Sequence, residues 1–226
     1  YRFDEGNSGL TGLNGALDIA NRMITMVSGG YMMLYEYQPA VAGYYDGVTY
    51  CHKQLINACT PWNGYYTLDS GYFMNLHFSQ FMDKGWSFIF DACYSDAKAG
   101  GDGHALVDAK YSYITACSND GDYSTIITNT TSEPITYNFE VTNLAKADNE
   151  VYVWETRGPD EGQEYNANYF KKISTVTPEN GKYSVTIKPY SMITVSTLNI
   201  SEPEFDVPQE SDNKLLSLPY TDDFGY

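Results

Sequence analysis

Apolar and polar positions divide this 226-residue chain into two regimes. In the first, up to residue 85, the apolar spacing changes from helical to solid and back. Leu17, Ala20, Ile24 and Val27 recur at helical spacing and predict a helix over 15–27. Gly30–Tyr35 then reads Gly-Tyr-Met-Met-Leu-Tyr with no polar alternation, which predicts a strand covered on both faces, as strands of parallel sheets are. Phe73, Leu76, Phe78 and Phe81 predict a second helix over 71–84, stopped by Asp83-Lys84-Gly85. The long polar and aromatic connection between that strand and that helix carries Tyr50, Trp62, Asn63, Tyr65 and Tyr66. Strand, loop and helix form one βα unit, and Tyr1-Arg2-Phe3, a Gly/Asn-rich loop and the helix at 15–27 form another before it. Two units are the tail of a (β/α)8 barrel or of a doubly wound parallel sheet, and in such barrels the loop after each strand carries the chemistry.

From residue 86 the period shortens. Trp86–Phe90 alternates loosely. Leu106–Cys117, Tyr123–Thr128, Thr136–Val141, Val151–Glu155, Lys171–Thr177, Lys182–Ile187 and Met192–Leu198 are short runs rich in Val, Ile, Thr and Tyr. Turn signals such as Asn119-Asp120-Gly121 and Pro178-Glu179-Asn180-Gly181 separate them. Short strands at regular spacing predict an antiparallel β-sandwich. The expected organisation is therefore a barrel tail over 1–85 and a sandwich over 86–199. An acidic, Pro-containing linker fills 200–226 and could open a further domain at Tyr220–Tyr226.

Charge and composition narrow the function. A net charge of −16 and a sequence pI near 4.3 argue against nucleic acid, which needs a basic face. With 22 Tyr against 13 Lys plus Arg, the surface suits sugars, whose faces stack on aromatic rings. No apolar run is long enough to span a bilayer. The chain starts at Tyr1 without an initiator Met, which suggests a piece of something longer. The sequons at Asn129 and Asn199 point to a secreted glycoprotein. The four Cys allow three pairings, with Cys51 and Cys59 flanking one loop and Cys93 and Cys117 placed where they could face each other. Free buried thiols are the alternative, and no spacing suggests zinc or another metal. Asn119-Asp120-Gly121-Asp122 has oxygen ligands for calcium, but a hairpin turn uses the same residues. His52, His77 and His104 are scattered and read as structural or exposed.

The runs Gly30-Tyr31-Met32, Tyr44-Tyr45, Pro61-Trp62-Asn63-Gly64-Tyr65-Tyr66, Gln80-Phe81 and Gly85-Trp86 resemble, in order, the galactocerebrosidase family of retaining glycosidases. Tyr220-Thr221-Asp222-Asp223-Phe224 is similar to the entry into that family's lectin-like domain. The resemblance implies a glycoside hydrolase that cleaves a terminal β-linked sugar, a galactoside, from a glycan or glycolipid without a cofactor, in an extracellular or lysosome-like compartment. It implies Glu5 as the nucleophile, with Asp4 as rival, since a one-residue gap must fall nearby. In such enzymes a second carboxylic acid, about 5–5.5 Å away, protonates the leaving oxygen and later activates water. The family carries that acid on barrel strand four, to which nothing in this chain corresponds, so the rest of the barrel is an expected partner, upstream or as a separate chain. Tyr50 matches a Tyr that faces the substrate. Gln38 aligns with the family's substrate-stacking Trp, and the family's sugar-binding Arg from a sandwich loop has no counterpart over Asn129–Pro134. From its own context, Glu36 reads either as a binding carboxylate at a strand end or as a charge in a solvated mouth. Trp62 either stacks a sugar or packs its loop. The alternative function is a glycan-binding or structural relative without catalysis.

Overall fold

The computed structural model describes residues 13–37, 39–43, 54–60, 64–97, 109–164, 166–205, 219 and 221. Helix α1 spans Leu13–Gly30. Its first half is buried all round: Ala16, Leu17, Ile19 and Ala20 are covered, and so are the polar Asp18 and Asn21. Both are partnered: Asp18 pairs with Arg22 one turn on at 3.3 Å, and the Asn21 amide oxygen accepts from the Thr128 hydroxyl across the core. The Gly29-Gly30 pair ends the helix, and Tyr31 follows with a left-handed φ of 53°. Strands β1 (Val41–Gly43), β2 (Ile56–Thr60) and β3 (Tyr65–Leu68) form a small mixed sheet in that order, β1 parallel to β2 and β2 antiparallel to β3.

Helix α2 runs over Ser70–Ser79, capped by Asp69, whose carboxylate accepts from the Ser70 N–H at 2.7 Å. It is shorter than the expected 71–84. Gln80 caps its end, while Phe81 beyond it is fully buried and Gly85 turns the chain at φ 95°.

The remaining strands agree closely with the short runs of the sequence. They are β4 (Ser87–Phe88), β5 (Tyr94–Ser95), β6 (Ser112–Cys117), β7 (Tyr123–Asn129), β8 (Ile135–Glu140), β9 (Val151–Arg157), β10 (Lys171–Val176), β11 (Lys182–Ile187) and β12 (Ser191–Ser196). Seven build one antiparallel sheet, ordered β10-β9-β12-β7-β6-β4 with β5 also on the outer edge of β6; β8 and β11 form a separate antiparallel pair. Asn180 and Gly181 both take positive φ between Glu179 and Lys182, the mirror-image turn that suits a twisted hairpin.

Period two in the sequence sorts the large sheet's side chains into two cores. Tyr123, Ile127, Val151, Val153, Ile193 and Val195 face the β8–β11 pair, meeting Tyr137, Phe139, Tyr183, Val185 and Ile187. Phe139 and Tyr183 stack across the pair at 4.6 Å. The opposite face carries Ile114, Ile126, Met192 and Trp154, and the two helices cover it: α1 and Met74 on the first three, Phe73, Leu76 and Phe81 with Trp154 and Phe170. The expected boundary at 85/86 thus falls inside a continuous core, and β7 and β12 are buried on both faces.

One expectation is corrected and one open choice is decided. Gly30–Tyr35 is not a strand: Gly30 closes α1, the following residues pair with no strand among the described residues, and Tyr31, Met33 and Leu34 are 65, 67 and 71% exposed. An apolar run becomes a buried strand only where neighbours supply edges and cover. Cys93 and Cys117 are free thiols. Cys117 sits opposite Ser87 in the ladder, while Cys93 is held by Thr115, whose N–H donates to its sulfur at 3.4 Å. Cys51 and the Cys59 side chain lie outside the described residues.

Candidate functional site

The two helices anchored on the large sheet position what lies at their ends. Thr25 on α1 bonds Ser95 of β5 at 2.9 Å, adding to the link from Asn21 to Thr128 of β7. On α2, His77 is fully buried and bridges two strands, Nδ1 against the Thr194 hydroxyl at 2.7 Å and Nε2 against the Thr156 hydroxyl at 2.8 Å. Burial pushes its pKa down to about 3, so the ring is neutral, one nitrogen donating and the other accepting. The structural reading of His77 holds; it is a pin between helix and sheet.

The segment from Tyr31 to Tyr37 leaves α1 and leads to β1. Tyr35 lies beside the Asp18–Arg22 pair, its hydroxyl pKa raised chiefly by burial. Glu36 is exposed, which favours the solvated-mouth reading. A buried amide network fixes the β2–β3 hairpin: Gln54 Nε2 donates to Asn57 Oδ1 at 2.6 Å, and Asn57 Nδ2 donates to the Thr67 hydroxyl at 3.1 Å. Glu5, Asp4, Gln38, Tyr50 and Trp62 themselves lie outside the described residues.

One carboxyl group in this region escaped the sequence reading. Asp69, between β3 and α2, has its pKa raised to about 6, mainly by burial, with the Ser70 N–H pulling the other way. The available signal was positional: Asp directly before Ser-Gly and the periodic run is an N-cap pattern. Glu155 on β9, buried like Asp18, is neutralised by Arg157 at 2.8 Å and Lys188 at 3.3 Å, an ion cluster at the end of the sheet.

The Asn119–Asp122 segment is a turn. Gly121 takes φ 84°, and the Asp122 carboxylate is engaged by Lys146 and by the Thr197 hydroxyl. Among the described residues, no three His, Cys, Asp or Glu side chains converge to hold a metal. The two sequons differ. Asn199 is exposed, whereas Asn129 is buried and its amide nitrogen donates to the carbonyls of Glu133 and Lys188 at 2.8 and 3.0 Å. A glycan would need that nitrogen, so Asn129 is corrected from acceptor to turn-forming residue in the folded chain. Among the described residues no helix is long and apolar enough to cross a membrane.

No family model matches the chain. Among curated proteins it is similar to galactocerebrosidase of Danio rerio, 24% identical over 199 residues covering 81% of this chain and 28% of that protein. It is also similar to galactocerebrosidase of Salmo salar, 25% identical over 167 residues covering 70% of this chain and 24% of that protein. The chain thus spans about a quarter of the length of these relatives. Among solved structures, it resembles a glycoside hydrolase family 30 subfamily 8 xylanase from Clostridium acetobutylicum, with a TM-score of 0.59 at 17% identity over 86% of this chain and 40% of that one. A family 30 endoxylanase from Clostridium papyrosolvens gives 0.57 at 11% identity over 87% and 40%. These likenesses in structure bear on the fold alone.

Proposed function

We propose, from the premise that this chain is galactocerebrosidase-like and of the glycoside hydrolases, that it supplies the end of a (β/α)8 barrel and the sandwich behind it to a retaining glycosidase. The substrate is a glycan or glycolipid with a terminal β-linked sugar, a galactoside. Glu5 attacks the anomeric carbon, the glycosidic C–O bond breaks, and the leaving oxygen takes a proton from a carboxylic acid contributed by barrel strands outside these residues. The same carboxylate then deprotonates a water that displaces Glu5. Tyr50, Trp62 and Gln38 border the sugar, Glu36 lies in the solvated mouth, and the compartment is extracellular or lysosome-like, with a glycan at Asn199.

The observation that carries this reading is the ordered likeness to galactocerebrosidases over 81% of the chain. Two features support it. Helices α1 and α2 are pinned to the sheet by Asn21, Thr25 and His77, the rigidity a loop-borne site requires. Tyr31–Leu34 offers four exposed large apolar side chains in a row, the surface a neighbouring barrel strand would cover. Glycan binding without hydrolysis is the second reading, favoured by Gln38 in place of the family's stacking Trp.

The test is trapping with a 2-deoxy-2-fluoro β-galactoside bearing a dinitrophenolate leaving group, applied to the native protein. That leaving group departs unprotonated, so the nucleophile is probed without the acid. Peptide mapping is expected to find the sugar esterified to Glu5, and Glu5→Gln to abolish it. Label on Asp4 would move the nucleophile by one residue. No label on either carboxylate would remove the hydrolase reading and leave binding.

A further inference from the structure

The two sheets differ in width, and the mismatch leaves a ledge. Tyr113 on β6 packs against Tyr137 on β8, and Tyr123 on β7 hydrogen-bonds Tyr183 on β11, so the two-stranded pair covers the large sheet only from β6 inward. Strand β5, paired to the outer edge of β6, projects beyond that cover. Core logic would put nothing large and apolar there. The sequence puts tyrosines.

Tyr94 on β5 lies opposite Tyr113 in the ladder, with ring centroids 6.2 Å apart and planes tilted by 39°. Tyr137 stands almost upright to this floor, at 81° and 5.7 Å from Tyr113, and at 87° and 6.2 Å from Tyr111. Tyr94 is 49% exposed and Tyr111 39%. Asp96 fixes the corner: its carboxylate accepts from the Tyr111 N–H at 3.0 Å, and its own N–H donates to the Tyr111 carbonyl at 3.0 Å. Lys110 lies over the Tyr111 ring at 5.2 Å. The Tyr137 hydroxyl is buried near the Ser112 backbone, which leaves the ring itself as the wall.

We infer that this ledge of Tyr94, Tyr111, Tyr113 and Tyr137 is a binding surface for a neutral oligosaccharide chain, separate from the residues assigned to hydrolysis. Two mutually tilted rings with a third standing upright to them fit a pyranose ring, whose C–H face lies on one aromatic plane while its edge meets another. Tyrosine supplies the flat apolar face and a hydroxyl at its rim, and Asp96 and Lys110 frame it with groups that bond sugar hydroxyls. The net charge of −16 disfavours acidic ligands and leaves a neutral chain as the fitting occupant.

The experiment titrates the whole chain with cellotetraose, xylotetraose and β-1,4-galactotetraose by calorimetry. At least one is expected to bind. Tyr94→Ala and Tyr111→Ala should each weaken it about tenfold, the scale of one aromatic contact. Tyr94→Phe, which keeps the stacking face and the fold, should weaken it less. Tyr190→Ala, on an exposed loop elsewhere, should leave it unchanged. Binding of none of the three, or equal binding by the Tyr94/Tyr111 double alanine variant, would overturn the inference. So would concentration-dependent self-association that this double variant abolishes, since the ledge would then seat a second copy. Loss of binding on the ledge with Glu5 still labelled by the fluorosugar, or the converse, keeps this inference distinct from the hydrolase reading.

Discussion

Strand β12 and the stretch Tyr31–Leu34 make opposite use of apolar character. β12 reads Ser-Met-Ile-Thr-Val-Ser, half of it polar, and every residue is buried. Tyr31–Leu34 is large and apolar throughout, and all four residues are exposed. The difference is neighbours. β12 pairs with β7 on one edge and β9 on the other, has helices on one face and the β8–β11 pair on the other, and its hydroxyls find partners in Ser124 and His77. Tyr31–Leu34 leaves a helix through two glycines and pairs with no strand among the described residues. Apolarity states a demand for cover; topology decides whether the demand is met.

The largest expected effect tests that contrast directly. Trp154, fully buried beneath Phe81 and Phe170, should cost about 3–5 kcal/mol on truncation to Ala. Met33→Ala should change stability by no more than about 0.5 kcal/mol. Both are read from urea midpoints at constant m. A large loss at Met33 would break the comparison and show that the segment is covered in solution.

Glycines give a second, smaller contrast. Gly181 holds φ 71°, and a Cβ there would come within 2.2 Å of the Val141 carbonyl oxygen, which is backbone and cannot swing away. Gly181→Ala should cost about 1–3 kcal/mol. Gly29, near the end of α1, has open space around its Cβ position. Gly29→Ala should be neutral or stabilising by up to about 1 kcal/mol. Equal effects at the two sites would mean that the hairpin at Asn180-Gly181 relaxes freely.

The same contrast explains how legible the chain was. The seven strands from β6 to β12, except their ends, followed from runs rich in Val, Ile, Thr and Tyr and from the turn residues between them; β11, with one covered face, also alternates exposed and buried without a break. That the other face of the large sheet is also covered was not legible, because helix α1 buries Asp18 and Asn21 along with its apolar residues and so hides its contact face. The run at Gly30–Tyr35 misled for the reason given above. In the candidate site, the role of Glu36 turned on exposure, which a residue type does not encode. The His77 pin needs Thr156 and Thr194, 79 and 117 residues away, so no local pattern announces it.

Two titrating groups, one on α2 and one capping it, oppose each other and give the sharpest test of how helix and sheet are joined. His77 has a folded pKa near 3, below its usual 6.5, because burial penalises the cation. The unfolded chain therefore binds the proton more readily, and this contribution is fully present above pH 6.5 and lost as the pH falls towards 3. Asp69 has a folded pKa near 6, above its usual 3.8, because burial penalises the anion. Here the folded chain holds the proton more readily, so its contribution is greatest below pH 3.8 and declines as the pH rises through 6. Between pH 4 and 6 the two slopes oppose each other. His77→Gln can keep a hydrogen bond without titrating, and should leave a chain whose stability falls with pH over that window relative to wild type. Asp69→Asn retains a capping side chain and should do the reverse, with no loss of stability at pH 7. Urea midpoints at pH 4, 5, 6 and 7 for the two variants and wild type decide it. If Asp69→Asn leaves the pH profile of wild type unchanged, the carboxyl at the β3–α2 junction is solvated in the folded protein, and helix α2 is joined to its sheet through His77 without a buried charge at its start.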